Sequence, residues 1–416
     1  MDVIPAEILR IHSHLTKEIA EMSPTGDGIL FKTEEYAGRL AKLKSEMERR
    51  EMDTLLISEP SNICYLTGYE AYSFYVFQIM IVHRDVSEPI WIGRSMDAVS
   101  VRRMTYLSDD SIRPYTDDYV QSSEKDPVDF VVAELKEICP TLKAIGVETG
   151  SFYYTARIHN RLLESLPANR FLDAELLINW MRIRKSAAEV AILREAGQIS
   201  NAIIADAVEA VQAGIRECDL TSVIYRRMIA GTPEYGGVYP SSAPYVLTGS
   251  RTGEPHAPWS DRTIDHDTPV NIETSGCRRR YHAPISRTVY LGSPPESYLR
   301  LADAVTEGIE AALEAVRPGV TCGEVAQIWG KTIARHGFHK DSRIGYSIGI
   351  GFPPTWGERT ASLRESDRTM LEPGMAFHMM PGLWLDDIGI VLTQSFVVNE
   401  FGREDLTTFP RQLVIK

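Results

Sequence analysis

Three side chains in the second half of the chain have the types that acid–base hydrolysis needs: Glu273, His256 and Glu358. Glu273 stands in Val-Asn-Ile-Glu-Thr-Ser-Gly-Cys-Arg-Arg-Arg-Tyr-His-Ala-Pro-Ile-Ser-Arg-Thr, residues 270–288. A desolvated carboxylate is a general base or a nucleophile, and beside a cationic substrate it is both reactive and well placed. His256, within Thr-Gly-Glu-Pro-His-Ala-Pro-Trp over residues 252–259, can move protons near neutral pH, where free imidazole titrates. Glu358 closes Phe-Pro-Pro-Thr-Trp-Gly-Glu, residues 352–358, and can orient or neutralise a cation. Each has a plainer reading. Glu273 can pair with Arg279, Arg280 or Arg287, His256 can be a satisfied structural histidine, and Glu358 an ordinary ion-pair partner. His282 and His378 flank the same segments and read as structural.

Aromatic faces attract delocalised cations, so a substrate of that kind would want rings around it. Residues 65–75, Tyr-Leu-Thr-Gly-Tyr-Glu-Ala-Tyr-Ser-Phe-Tyr, pack five aromatics into eleven positions, with Tyr69, Tyr72 and Phe74 as candidate walls. Trp259, Trp356 and Tyr346 are further candidates, equally compatible with core packing or an interface. A substrate carboxylate would need a donor such as Arg251 or the backbone N–H groups near Gly249.

The elements that must position these residues follow from periodicity. Residues 33–50 place Tyr36, Leu40, Leu43 and Met47 at helical spacing. Residues 53–58 read as a buried strand, 62–69 lead into the aromatic turn, and 76–93 read as a strand pair. A helix over 126–138, a strand over 143–148 and a helix over 155–166 complete an α/β pattern. The boundary falls near residues 183–186. Beyond it, residues 187–213 form a long helix pattern closed by Gly214 as a C-terminal cap. Further helices are expected over 219–231, 296–316 and 322–336, alternating with strands. No internal repeat is visible.

At 416 residues the chain is long enough for two domains, and its 44% hydrophobic, 24% charged composition is that of a globular protein. A net charge of −13 argues against a nucleic-acid binder, which would normally show a basic patch or stripe, and against docking on anionic lipid. No apolar run approaches the roughly 18 residues of a membrane span, and residues 1–23 hold no apolar signal core. The five cysteines are scattered without CxxC spacing, as buried reduced thiols in a cytoplasm would be.

Residues 270–288 closely resemble the paired-strand signature of the pita-bread superfamily, which holds aminopeptidase P, prolidase, methionine aminopeptidase and creatinase. Gly-Tyr-Ser-Ile-Gly at 345–349, Leu-Glu-Pro-Gly-Met at 371–375 and Val-Asn-Glu-Phe-Gly at 398–402 extend the likeness over nearly the whole chain. Residues 181–190, Met-Arg-Ile-Arg-Lys-Ser-Ala-Ala-Glu-Val, resemble the domain junction of creatinase and prolidase. The resemblance implies an α/β (α+β) architecture: a creatinase-like N-terminal domain over 1–183 and a pita-bread catalytic domain over 184–416.

In the metal-dependent members, five ligands, two Asp, one His and two Glu, hold the cations. Here those positions carry Glu273, Pro284, Tyr346, Met380 and Thr393. One carboxylate and one phenol do not make a site for two hard cations, so no metal and no other cofactor is expected. Without metal, an amide is hard to hydrolyse, whereas the carbon of a protonated amidine is already electrophilic. Creatinase, which resembles this chain and also lacks the ligands, cleaves a guanidino compound, and its catalytic histidine resembles His256. It carries His where this chain has Tyr346 and Glu where it has Met380, which disfavours creatine as substrate. The full pattern, continued by Ile-Gly-Phe-Pro-Pro-Thr-Trp-Gly-Glu at 350–358, looks most like the ectoine hydrolases, which open a cyclic amidine to N-acetyl-2,4-diaminobutyrate. The resemblance implies a small zwitterionic substrate, a cytoplasmic enzyme, and a homodimer whose N-terminal aromatic turn reaches the partner's site. A dimethylsulfoniopropionate lyase on this scaffold keeps the metal-binding carboxylates and fits poorly. A creatinase-like amidinohydrolase, a metal-dependent Xaa-Pro peptidase and a non-catalytic binding protein are the alternatives.

Overall fold

The computed structural model describes residues 28–139 and 142–416; the reading of residues 1–23 as lacking a signal core lies outside them. Among the described residues no helix is long and apolar enough to cross a membrane. Contacts divide the chain into one unit ending at Met181 and another spanning Arg182–Lys416.

In the first unit the helix Thr33–Arg49 buries Tyr36, Leu40, Leu43 and Met47, as their spacing requires. The strands are β1 (Thr54–Ile57), β2 (Ile79–His83), β3 (Ile90–Arg94), β4 (Ile112–Tyr115), β5 (Ala144–Val147) and β6 (Arg170–Asp173). They form one mixed sheet in the order β4-β3-β2-β1-β5-β6. β1 is central and wholly buried, which explains its unbroken apolar run. Residues 62–69 are expected to lead into a turn, but Pro60–Thr67 form a helix. Three local features account for it. Pro60 opens the helix, Gly68 closes it at a φ of 83°, and the buried Glu148 carboxylate accepts the N–H groups of Ser58 (2.7 Å) and Glu59 (2.8 Å) at its N-terminus. A sequence window cannot register a cap that arrives from some 90 residues away.

The second unit is built on a long antiparallel hairpin, β8 (Thr268–Arg278) and β9 (Tyr281–Leu291), preceded by β7 (Tyr245–Thr248). Then follow β10 (Gly345–Phe352), β11 (Thr355–Ser362), β12 (Ala376–Met379), β13 (Leu383–Leu385), β14 (Ile388–Ile390), β15 (Gln394–Val398), β16 (Arg403–Asp405) and β17 (Val414–Ile415). The main sheet runs β16-β15-β12-β10-β9-β8-β7, with β11 on β10 and β17 on β9; β13 and β14 form a separate hairpin. Helices Glu296–Glu314 and Cys322–Arg335 bury Leu301, Val305, Ile309, Val325, Trp329 and Ile333 in one apolar cluster with Phe377 and Phe396.

The helix Ala187–Ala210 lies across β8 and β9. Ser186 and Glu189 form a reciprocal capping box at its start, and Glu189 also accepts the Tyr281 hydroxyl at 2.8 Å, tying the helix to β9. It ends at Ala210, earlier than the expected closure. Gly214 has a φ of 90° but donates to Ile264 O, so it shapes the following loop rather than capping the helix.

Two contacts fix the hairpin. The turn residues Arg279 and Arg280 both have positive φ, 47° and 67°, as the centre of a two-residue hairpin demands of residues that rarely adopt it. Arg280 offsets that strain. Its guanidinium donates to Gly351 O, Tyr239 O and Ser241 Oγ, and lies 4.1 Å from the Tyr239 ring centre. At the other contact, Gly276 meets the helix so closely that a Cβ would fall 2.3 Å from Ala196 O, while its N–H donates to Ser200 Oγ at 2.7 Å. Gly276→Ala is therefore expected to force helix and hairpin apart at a cost of about 1–3 kcal/mol. A melting temperature about 5 °C lower checks this; an unchanged one would show that the helix yields freely.

Candidate active site

Side chains from β7, β8, β10 and β11, the loop before β10 and the β13 hairpin enclose a cavity of ≈ 460 Å³ in the second unit. That is the size range of small-ligand sites. Glu273, His256, Tyr346 and Trp356 all line it.

Glu273 projects from the middle of β8, opposite Ser286 on β9. It faces the cavity and is otherwise surrounded by protein. Burial pushes its pKa up to about 7, with the Ser286 hydroxyl pulling in the other direction. The influence of Ser286 is one of proximity, since its Oγ is buried without a hydrogen-bond partner of good geometry.

Tyr346, on β10, presents its ring to the same space. Its hydroxyl accepts Trp356 Nε1–H at 2.8 Å and lies 3.2 Å from His378 Nδ1. Burial first, and then the neighbouring Glu273 charge, push the phenol pKa up, so it stays protonated through the neutral range. His256 is exposed at the mouth, edge-on to the Tyr245 ring with centroids 5.8 Å apart.

The other expected residues lie elsewhere. Glu358 is 1% exposed and does not line the cavity; its carboxylate is bound by Lys185 Nζ at 2.7 Å and Arg182 Nη1 at 3.5 Å. Two buried cations need a buried anion, and that requirement takes Glu358 out of a substrate's reach. Burial pushes Glu358 up and Lys185 down, and each pulls the other back. Arg251 is likewise committed. It pairs with the fully buried Glu217 at 2.6 Å, and Glu217 also accepts Thr248 Oγ1 and the Ser260 N–H, so the pair anchors the loop that carries His256. Trp259 packs edge-to-face on Tyr225 against the apolar cluster of helix Ala187–Ala210.

Tyr69, Tyr72 and Phe74 belong to the first unit. There Tyr69 is a core residue, bonded to Ser73 Oγ and edge-on to Trp91. Tyr72 is 55% exposed with its ring 4.6 Å from that of Phe74. His282 is structural: Nδ1–H donates to Arg280 O and Nε2 accepts the Ser241 N–H.

Arg343 was not legible beforehand. It lies in the loop before β10, lines the cavity, and stacks its guanidinium 4.6 Å from the Tyr346 ring centre. One cationic side chain in an irregular segment leaves no periodic signal. Trp384 on β13 and Tyr245 on β7 complete the aromatic wall, and Lys340 braces the back of Trp384 from 4.2 Å.

The side chains present do not fit a metal pair. Among the described residues no group of three or more His, Cys, Asp and Glu side chains is placed to hold one. Met380 presents a thioether to the cavity. The Pro284 carbonyl accepts Ser395 Oγ at 2.6 Å, and the Thr393 hydroxyl accepts the Ser286 N–H at 2.7 Å. Hard divalent cations need several anionic oxygens, and among the described residues Glu273 supplies the cavity's one carboxylate.

Residues 191–400 match the model of metallopeptidase family M24, and residues 39–184 match the creatinase/prolidase N-terminal domain. An uncharacterized hydrolase/peptidase of Sinorhizobium fredii is 50% identical over 93% of this chain and 98% of its own length. The ectoine hydrolase of Halomonas elongata is 42% identical over the same shares. Among solved structures, the Pyrococcus horikoshii prolidase superposes with a TM-score of 0.78 at 21% identity, over 91% of this chain and all of that one. The X-Pro aminopeptidase of Thermotoga maritima gives 0.76 at 21% identity, over 91% and 99%. At that identity the structures speak for the fold, and the sequence relatives for the family. The chain belongs to the M24 family of the pita-bread superfamily, as a hydrolase with a creatinase-type N-terminal domain and a homologue of ectoine hydrolase.

Proposed function

We propose that the chain opens the cyclic amidine of ectoine to N-acetyl-2,4-diaminobutyrate without a metal ion, using Glu273 as base or nucleophile. The observation that carries this reading is one desolvated carboxylate facing an aromatic-walled cavity with a single guanidinium, Arg343, in its lining. A planar amidinium bearing one carboxylate is the complement of that arrangement: the cation against Glu273 and the rings, the carboxylate against Arg343. The 42% identity to an ectoine hydrolase supports the same substrate. An amidinium beside Glu273 favours the ionised carboxylate and opposes the effect of burial, so binding drives off the proton that would block catalysis. His256, exposed at the mouth, exchanges protons with solvent. A cytoplasmic homodimer completes the reading, with Tyr72 and Tyr75, 55% and 70% exposed, offered to the partner subunit.

The first test is the EDTA-treated protein incubated with ectoine and followed by proton NMR. Open-chain acetyl-diaminobutyrate is the expected product. Uptake without consumption would indicate a binding protein, and activity that requires added metal would indicate a metallohydrolase.

Glu273→Gln is expected to lower kcat by on the order of 10³ or more while the fold is kept; near wild-type turnover would remove Glu273 from the chemistry. Arg343→Met is expected to raise KM for ectoine about 10- to 100-fold, the loss of one charge-assisted contact to a carboxylate. Equal KM values would place the substrate carboxylate elsewhere.

The pH dependence follows from the Glu273 carboxyl, which is raised from 4.5 to about 7 in the folded chain. The base must be ionised, so kcat/KM rises with pH through about 7. For stability, a raised carboxyl makes the folded state the better proton binder. The penalty of ionising Glu273 is absent below pH 4.5 and builds up to about 7. Glu273→Gln, which cannot ionise, should therefore melt higher than the wild type at pH 8, and the margin should shrink at pH 5. A margin independent of pH would mean that the folded-state carboxyl is unshifted.

A further inference from the structure

The Tyr346 hydroxyl is surrounded by groups that decide where its proton points. Trp356 Nε1, which can only donate, fills one lone-pair direction at 2.8 Å. His378 Nδ1 stands 3.2 Å away on another side, its ring edge-on to the phenol with centroids 5.5 Å apart at 84°. His378 has no solvent exposure, and its second nitrogen, Nε2, is buried without a partner among the described residues. Burial, then Arg287 and Arg343, hold its pKa down to about 3, so the ring is neutral and carries one proton.

That proton has two places to sit. On Nε2 it would be a buried N–H with no acceptor, the kind of orphan that folded proteins rarely tolerate. On Nδ1 it reaches the Tyr346 oxygen and leaves only a bare lone pair at Nε2. The Nδ1–H tautomer is thus favoured, and Tyr346 then receives two N–H donors. Its own proton is directed away from both, into the cavity shared with Glu273.

We infer that Tyr346 is the catalytic proton donor to the leaving nitrogen, with His378 and Trp356 as the positioning residues that aim its hydroxyl. This deepens the hydrolytic reading above and rests on it. A water molecule adds its oxygen to the amidinium carbon while Glu273 takes one of its protons, and the C=N π pair moves onto nitrogen. The tetrahedral carbon then bears one hydroxyl and two nitrogens. Tyr346 gives its proton to the departing nitrogen as the C–N bond breaks and that electron pair leaves with the nitrogen. The new carbonyl's hydroxyl proton passes to the phenolate oxygen, restoring Tyr346. Glu273 finally yields its proton to the freed amine, which leaves as an ammonium. Amidinium plus water becomes amide plus ammonium, and no other reactant is needed. His256, exposed at the mouth, is the competing donor.

The experiment uses the full EDTA-treated chain and ectoine. Tyr346→Phe keeps the ring and is expected to lower kcat on the order of 10²–10³ with KM changed only a few-fold. His378→Leu should lose about tenfold in kcat, and His378→Asn, whose amide N–H can replace Nδ1–H, should recover most of it. Unchanged kcat in Tyr346→Phe, or a larger loss in His256→Gln than in Tyr346→Phe, overturns the donor role. Should Tyr346→Phe fail to fold, ring-fluorinated tyrosine incorporated throughout must move the alkaline limb of kcat to lower pH; an unmoved limb overturns the role equally. Nitrogen-15 NMR of histidine-labelled protein, with the His378 signal identified by its loss in His378→Asn, reads the tautomer without any substrate. Nδ1–H is expected, and Nε2–H overturns the orientation. A wild type that leaves ectoine untouched while showing the Nδ1–H tautomer would refute the substrate and retain the aimed hydroxyl.

Discussion

The site depends on the register of one hairpin. Because side chains alternate along a strand, a slip of one residue between β8 and β9 would turn Glu273 from the cavity into the packing beneath helix Ala187–Ala210. The pairing of Glu273 with Ser286 is held by two restraints on its turn side. Arg280 locks the turn onto Gly351 at the end of β10, and Gly276 admits the helix so closely that the strand has little room to shift. Neither depends on what occupies the cavity.

Much of this was legible in the sequence. Periodicity gave the helices over 33–50, 126–138 and 155–166, because their apolar faces are continuous in sequence. Motif order gave the fold class and the family. Of the residues that the sequence singles out, Glu273, His256, Tyr346 and Trp356 line one cavity. Residues whose neighbours are distant in sequence could not be read. Glu358 looked free because Lys185 and Arg182, more than 170 residues earlier, are its partners. Arg251 looked available because nothing near it in sequence pointed to Glu217. Arg343 is hidden for the opposite reason: it stacks on Tyr346 and lines the cavity, which a loop position does not advertise.

The family's scaffold here holds a different kind of polar floor. At the positions that resemble four of the metal-dependent relatives' ligands, three carboxylates and an imidazole, this chain has a proline, a phenol, a thioether and a threonine. The dense array of negative charge that would attract a cation is reduced to one carboxylate, whose own ionisation becomes sensitive to the neutral range.

The cluster of Glu358 with Lys185 and Arg182 bears on how such a protein can diverge. Replacing Glu358 alone takes the shared carboxylate from two buried cations, and replacing Lys185 alone takes from Glu358 the shorter of its two ion pairs. Single steps at either position are disfavoured, and a joint exchange has also to provide for the buried Arg182 guanidinium. Lys185 and Glu358 should therefore be inherited as a unit, and a lineage that has changed one should have changed the other.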